Sequence, residues 1–396
     1  MSEPLPPTVR RLGWLHFAND FTLDFITPLL PSGVPVAWLG LMEGAADAVA
    51  QALKLVTGRA SDRSGRRAAW VAAGYGTNAA IRPLAGIGML LGWPAWIVCC
   101  RIGDRIGKGL RSSASDALIA DWVSEGDRAR AYARMRTLDH LGATAGALAA
   151  AAAVGLWHGV NIGWLILAMA LPAVAMVGWC RGLRDVERDA ATQAAAVHAP
   201  GWWPADAQTR GLLLIIGVAG IGARLGPLLI LAHVAGLGLG STETTGDQAW
   251  PLWVICLAWG ALALVQAGAA AFAGWATEKL GAQRFLRYGW LVGALVFVGL
   301  ALTHGPWLVA CGLGWGLLSG LTEGAEKTAV AGAVPKAERA TAFGALGLLS
   351  AAAGLLGSGG VGLGLAHVGG AIFLLPAGAL ALGALLLRAR TQASSE

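Results

Sequence analysis

The chain has 396 residues, 56% of them hydrophobic and only 13% charged, with a net charge of +6. A soluble domain carries about 25% charged residues, and here the apolar residues run in stretches of about 20, the length that crosses a bilayer core as a helix. These numbers exclude a soluble globular class, and with most of the basic residues in short segments between apolar runs they give no support to nucleic-acid binding.

Met1 to Arg11 is proline-rich and ends in a basic pair. The next segment is interrupted by Asn19, Asp20 and Asp24, so it is expected to be a first span and not a removable leader. About twelve spans are expected, near 12–32, 36–56, 68–89, 93–112, 131–155, 160–180, 210–233, 249–273, 285–303, 306–329, 340–365 and 369–388. The gaps near 33, 91, 158, 240, 305 and 367 contain no Lys or Arg, whereas the alternate gaps hold Arg63, Arg66, Arg67, Arg128, Arg130, Arg181, Arg184, Lys279 and Lys336. By the positive-inside bias both termini are expected in the cytoplasm. The longest polar segment, 181–209, is expected to be a cytoplasmic linker between six-helix halves at 1–180 and 210–396. Gly274, Glu278, Lys279, Gly281 and Arg284 after the eighth span echo the spacing of Gly58, Asp62, Arg63, Gly65 and Arg67 after the second. The five cysteines show no metal-site spacing and are read as small apolar fillers.

A charge at mid-bilayer is expensive, so each intramembrane ionisable residue is a functional candidate. Asp20 and Asp24 lie one helical turn apart in the first span and share a face, as do Glu43 and Asp47 in the second. Two carboxylates on one face tend to hold one proton between them, which suits a proton-coupled carrier. The third span has Arg82 before Pro83, and the fourth has Arg101, Asp104, Arg105, Lys108 and Arg111. The fourth-span stripe also reads as mutually neutralised struts, with Gly103, Gly107 and Gly109 leaving room for a close neighbour. The fifth span has Arg136, Asp139 and His140, and the second half adds Arg224, Glu323, Glu326 and Lys327. His16 and His140 can titrate near neutral pH, although a helix histidine also serves as a hydrogen-bonded core residue.

Gly58, Asp62, Arg63, Gly65, Arg66 and Arg67 form a G-x-x-x-D-R-x-G-R-R loop that resembles the first-loop motif of the major facilitator superfamily of secondary transporters. The resemblance implies an all-α membrane protein of about twelve transmembrane helices in two six-helix halves, with Asp62 helping to lock the cytoplasmic side. Arg105 to Gly109 resembles the R-x-x-Q-G element of proton-driven exporters, with Lys108 in the glutamine place, which implies a proton-transfer role for Arg105. Gly142 and Gly146 match part of the antiporter signature of the fifth span, with Ala147 where its proline would stand. The stretch from Arg105 to Asp121 resembles a bacterial subgroup of efflux permeases.

The expected function is therefore proton-coupled export of a small organic molecule by alternating access, from the inner (plasma) membrane, as a monomer without a cofactor. Candidate substrate or proton-coupling residues are Asp20, Asp24, Glu43, Asp47, Arg82, Arg101, Asp104, Arg105, Asp139, Arg224 and Glu323. A metal-ion or metal-complex carrier is the alternative, drawing on His16, Asp20, Asp24 and Glu43. A non-transporting scaffold on the same fold is a third reading, against which the complete gating loop argues. The sequence shows no nucleophile–base set or phosphate-binding glycine loop, so an enzyme is not expected.

Overall fold

The computed structural model describes residues 5–123, 125–157, 159–186, 203–204, 206–236, 250–333 and 339–393. Most of the 181–209 linker lies outside these residues, as do the side chains of Asp62, Arg63, Arg128, Arg130, Glu278 and Lys336.

Each expected span has a helical counterpart. Helix α1 (Pro7–Ile26) continues as a 3-10 turn (Thr27–Ser32), and α2 (Val36–Ser64) is continuous. The third span is α3 (Arg67–Ile81), a 3-10 turn (Arg82–Leu84) and α4 (Ala85–Leu91). Then follow α5 (Pro94–Trp122), α6 (Glu125–Leu156), and the pair α7 (Ile162–Ala168) and α8 (Ala170–Cys180). The second half runs through α9 (Ala207–Ala223), α10 (Pro227–Val234), α11 (Leu252–Leu280), α12 (Ala282–Leu302), α13 (Pro306–Ala333) and α14 (Arg339–Val368). A 3-10 turn (Gly369–Phe373) leads into α15 (Leu374–Ala393). Several breaks coincide with a proline, at Pro28, Pro83 and Pro227, where the ring removes a backbone donor and disfavours a continuous helix. Asp206 caps α9 by accepting from the Thr209 amide at 2.6 Å. That backbone bond holds the Asp206 carboxyl below the usual carboxylate range.

Six of the helical stretches are apolar and long enough to cross a membrane by composition alone, among the described residues: Ile162–Cys180, Ala207–Val234, Leu252–Ala270, Ala282–Leu302, Ala342–Leu365 and Gly369–Gln392. The first five spans and α13 are not among them, being interrupted by polar or charged residues such as those of α5 and Glu323, Glu326 and Lys327 of α13. Several helices outrun their expected spans on the basic-loop side: α2 reaches Ser64, α5 reaches Trp122 and α13 reaches Ala333. Hydropathy marks where hydrocarbon ends, whereas the more polar, alanine-containing sequence beyond still continues the helix.

The chain forms two compact units. The first comprises 1–34, 49–199 and 251–260, and the second 35–48, 200–250 and 261–396. Helices α2 and α11 thus each contribute to both. Within the first unit α1 packs on α6 and α8, and α3 packs on α5 and α8. Within the second, α9 packs on α14 and α15, and α12 packs on α13 and α15. These are the same pairings between spans counted from the start of each half, the signature of a parallel repeat.

Candidate functional site

In the first unit, the 3-10 break of the third span places Arg82 deep inside, 5% exposed. Its Nε donates to Asp104 Oδ1 of α5 at 2.8 Å. Nη1 donates to the Asn19 carbonyl at 2.8 Å and to Thr22 Oγ1, and Nη2 donates to Asn19 Oδ1 at 3.0 Å. Asn78 of α3 donates through Nδ2 to the Asp104 carbonyl at 2.6 Å and to its Oδ1 at 2.7 Å. One buried arginine thus ties α1 and α5 to the break that the proline creates. Arg101, also buried, donates to Thr27 Oγ1 at 3.4 Å. Beside this network lies a cavity of about 10 Å³, lined by Arg82, Arg101, Asp104, Leu23, Ile26 and Cys100 among others. That is room for about one water.

The carboxylates of α1 have a different environment. Asp20 Oδ1 accepts from Asn19 Nδ2 at 2.6 Å, and Asp24 Oδ1 accepts from Trp259 Nε1 of α11 at 2.8 Å. Both donors are neutral. Among the described residues neither aspartate forms an ion pair. One turn earlier, His16 Nδ1 lies 2.8 Å from Asp139 Oδ1 of α6, and its Nε2 lies 3.0 Å from Ser115 Oγ of α5. Asp139 Oδ2 is 3.8 Å from Arg136 Nη1. Arg111 of α5 stacks over Tyr75 of α3, 4.6 Å from the ring centre. Arg105 is half-buried on α5 and engaged in polar interactions.

The second unit holds its own buried pair. Arg224, at the end of α9, donates from Nη2 to Glu326 Oε2 of α13, whose side chain is 3% exposed. Glu323, one turn earlier, is exposed and bonds Lys327 at 3.1 Å. Glu43 is buried, and Asp47 half-buried, in this same unit. A Cβ on Gly226 would lie 3.1 Å from the Glu43 Cβ, and one on Gly354 would lie 3.5 Å from Asp47 Oδ2. The four residues grouped in the metal alternative are therefore divided, His16, Asp20 and Asp24 in one unit and Glu43 in the other. Among the described residues no three His, Cys, Asp or Glu side chains come together as a metal site.

The basic loop closes with Gly65 at φ +65°, its N–H donating to the Ser61 carbonyl at 3.1 Å. Gly281, its echo, has φ +79° and donates to the Thr277 carbonyl at 3.0 Å. The left-handed stop is what makes glycine the suitable residue at both places. Arg67 pairs with Asp121 at the end of α5 at 3.2 Å, and Arg66 is exposed. Gly58 faces Ser113 of α5, whose Cβ would be 3.3 Å from an added methyl. Asp185 accepts from the Ala68 amide at 2.7 Å, an anion at the start of α3.

The sequence profile of the Major Facilitator Superfamily matches residues 12–358. The chain belongs to that superfamily. An uncharacterized protein of Mycobacterium tuberculosis (strain ATCC 25618 / H37Rv) is 30% identical over 340 residues, covering 83% of this chain and 78% of that protein. An uncharacterized MFS-type transporter of Methanocaldococcus jannaschii is 27% identical over 147 residues, 36% of each chain. In fold, a bacterial homolog of the human lysosomal transporter Spinster superimposes with a TM-score of 0.72 at 16% identity, covering 99% of this chain and 98% of that one. The human organic anion transporter MFSD10 (TETRAN) gives 0.65 at 18% identity, covering 96% and 100%. This is a multi-pass membrane transporter with the major facilitator fold.

As a superfamily member, the chain carries site residues that charge alone does not reveal. Asn19, Thr22, Asn78, Ser115 and Trp259 complete the polar networks, and only the first four stand out as polar residues inside spans. Trp259 is one of 18 tryptophans, and nothing in its neighbourhood marks it as the donor to Asp24.

Proposed function

We propose that this transporter is a proton-coupled secondary carrier that exports a small organic molecule by alternating access. The observation that carries the reading is the contrast between the acids of the first unit. Asp104 and Asp139 are matched by the cations Arg82 and Arg136, whereas Asp20 and Asp24 have only neutral hydrogen-bond donors among the described residues. A carboxylate in a membrane span with no directly bonded cation is where a reversible proton binds, because protonation removes the cost of the charge. Asp104 and Arg82 hold the helices together while Asp20 and Asp24 do the coupling. The basic gaps support a cytoplasmic location for both termini in an inner membrane, with the 181–209 linker joining two halves of a monomer.

The metal-carrier alternative gains nothing from the geometry, because both ring nitrogens of His16 are already engaged by Asp139 and Ser115. A thermal-shift screen of the purified transporter against divalent metals, siderophore-like acids and cationic drugs tests substrate class, since a ligand of the folded state raises its stability. Stabilisation by an organic compound that persists in a chelator supports the proposal. Stabilisation by metals alone, abolished by chelator, overturns it in favour of the metal carrier.

A further inference from the structure

We propose that His16 is a proton-relay residue, taking the coupling proton from Asp20 one helical turn away and holding it against Asp139. The proposal rests on the reading of Asp20 and Asp24 as the coupling carboxylates and adds a further stop for the same proton.

The hydrogen bonds fix the chemistry of the ring. Asp139 faces His16 Nδ1 on one oxygen and Arg136 on the other, so it is placed as a carboxylate. A carboxylate only accepts, so Nδ1 carries the hydrogen and donates at 2.8 Å. In the neutral ring Nε2 is then the acceptor, and the Ser115 hydroxyl donates to it at 3.0 Å. One more proton fits without any change in heavy-atom positions. The Ser115 hydroxyl rotates from donor to acceptor, the proton bonds Nε2, and the imidazolium stays paired with Asp139. The proton leaves the Asp20 carboxyl as H⁺ for Nε2, which restores the Asp20 carboxylate, and the relay resets when Nε2 releases it.

Position agrees with this role. His16, Asp20 and Asp24 recur every four residues along α1, so a proton passing between them moves about 6 Å along the helix at each step. The groups around His16 are Asp139 of α6 and Ser115 of α5, which bond the ring, and Tyr75 of α3; Arg136 of α6 pairs with the same Asp139, and Arg111 of α5 stacks over the same Tyr75. The His16 and Tyr75 rings meet edge-on at 6.5 Å. A purely structural clamp between α1 and α6 would be redundant. Gly142 and Gly146 already seat α6 on the backbone carbonyls of Phe17 and Phe21. A titratable ring adds to that contact the capacity to gain and lose a proton.

The test is ¹⁵N-histidine NMR of the full-length protein in lipid nanodiscs, titrated from about pH 4.5 to 9, a range that brackets the ordinary histidine value. His16→Gln assigns the resonance, and Ser115→Ala, which perturbs the Nε2 signal, assigns it if the glutamine variant fails to fold. A shared proton titrates in two macroscopic steps. The expected result is an Nδ1–H tautomer at high pH and a two-step His16 curve that becomes a single step in Asp20→Asn. A single-step curve that Asp20→Asn leaves unchanged, or a ring that does not titrate in this range, overturns the relay. Either negative result leaves the coupling role of the carboxylates standing, because that role is read from gradient-driven flux in Asp20→Asn and Asp24→Asn and not from this titration.

Discussion

Arg82 shows how a single buried charge is kept affordable. Its guanidinium is matched by one carboxylate, one carbonyl, one amide oxygen and one hydroxyl, so every branch of the fork has a partner. Removing Asp104 alone leaves an uncompensated charge inside, and breaking a buried pair in this way costs about 3–5 kcal/mol. Asp104→Ala is therefore expected to lower the unfolding temperature of the purified protein sharply, and the paired replacement Arg82→Met with Asp104→Leu to recover most of the loss. Equal stability of the single and double variants would show that the two residues act separately. The charged members of this site were legible in sequence because charges in spans are rare and expensive. Their neutral partners were not, since an Asn or Trp in a helix acquires its role only through a distant neighbour. Glu323 and Glu326 show the same limit. Both lie near one end of α13, and only the rotational setting of the helix puts Glu326 inside and Glu323 outside.

Between helices, contact is made by backbone rather than by bulk. Gly142 and Gly146 leave α6 against the carbonyls of Phe17 and Phe21 on α1. In α5, Gly107 lies against Gly74 and Asn78 of α3, and Gly109 against Leu53 of α2. Lipid offers no hydrophobic drive for helices to associate, so close backbone approach and interhelical polar contacts hold the bundle. The half-matched fifth-span signature thus has its glycines where the packing needs them. Gly146→Val is expected to destabilise the protein by about 1–3 kcal/mol through overpacking, with Gly146→Ala intermediate. Unfolding temperatures of the three proteins in one detergent check this, and an unchanged value for the valine variant would contradict the packing. The helices themselves were legible from hydropathy, but their ends and breaks were less so. An apolar run reports the bilayer thickness, whereas proline, Gly65 and Gly281 decide where the helix bends or stops.

The repeat reaches across the whole chain. Left-handed glycines close the second and eighth spans at Gly65 and Gly281, the third and ninth at Gly92 and Gly305, and the fifth and eleventh at Gly159 and Gly369, while Gly236 after the seventh has no left-handed counterpart at Gly33. With the repeated helix pairings, this correspondence extends what the sequence showed only as a spacing in one pair of loops. The Lys- and Arg-free gaps predict the orientation: in a cysteine-free background, His304→Cys should react with an impermeant thiol reagent added outside intact cells and Arg66→Cys should not. The reverse pattern would invert the topology. In the proposed mechanism the proton gradient works through Asp20 and Asp24 of α1, the acids without a bonded cation. The measurement that tests it most directly is gradient-driven transport in proteoliposomes, using an organic ligand identified by thermal shift, in wild type, Asp20→Asn and Asp24→Asn. Uphill flux is expected in wild type and lost in at least one variant while downhill exchange survives, and uphill flux at the wild-type rate in both variants would rule these carboxylates out as the coupling site.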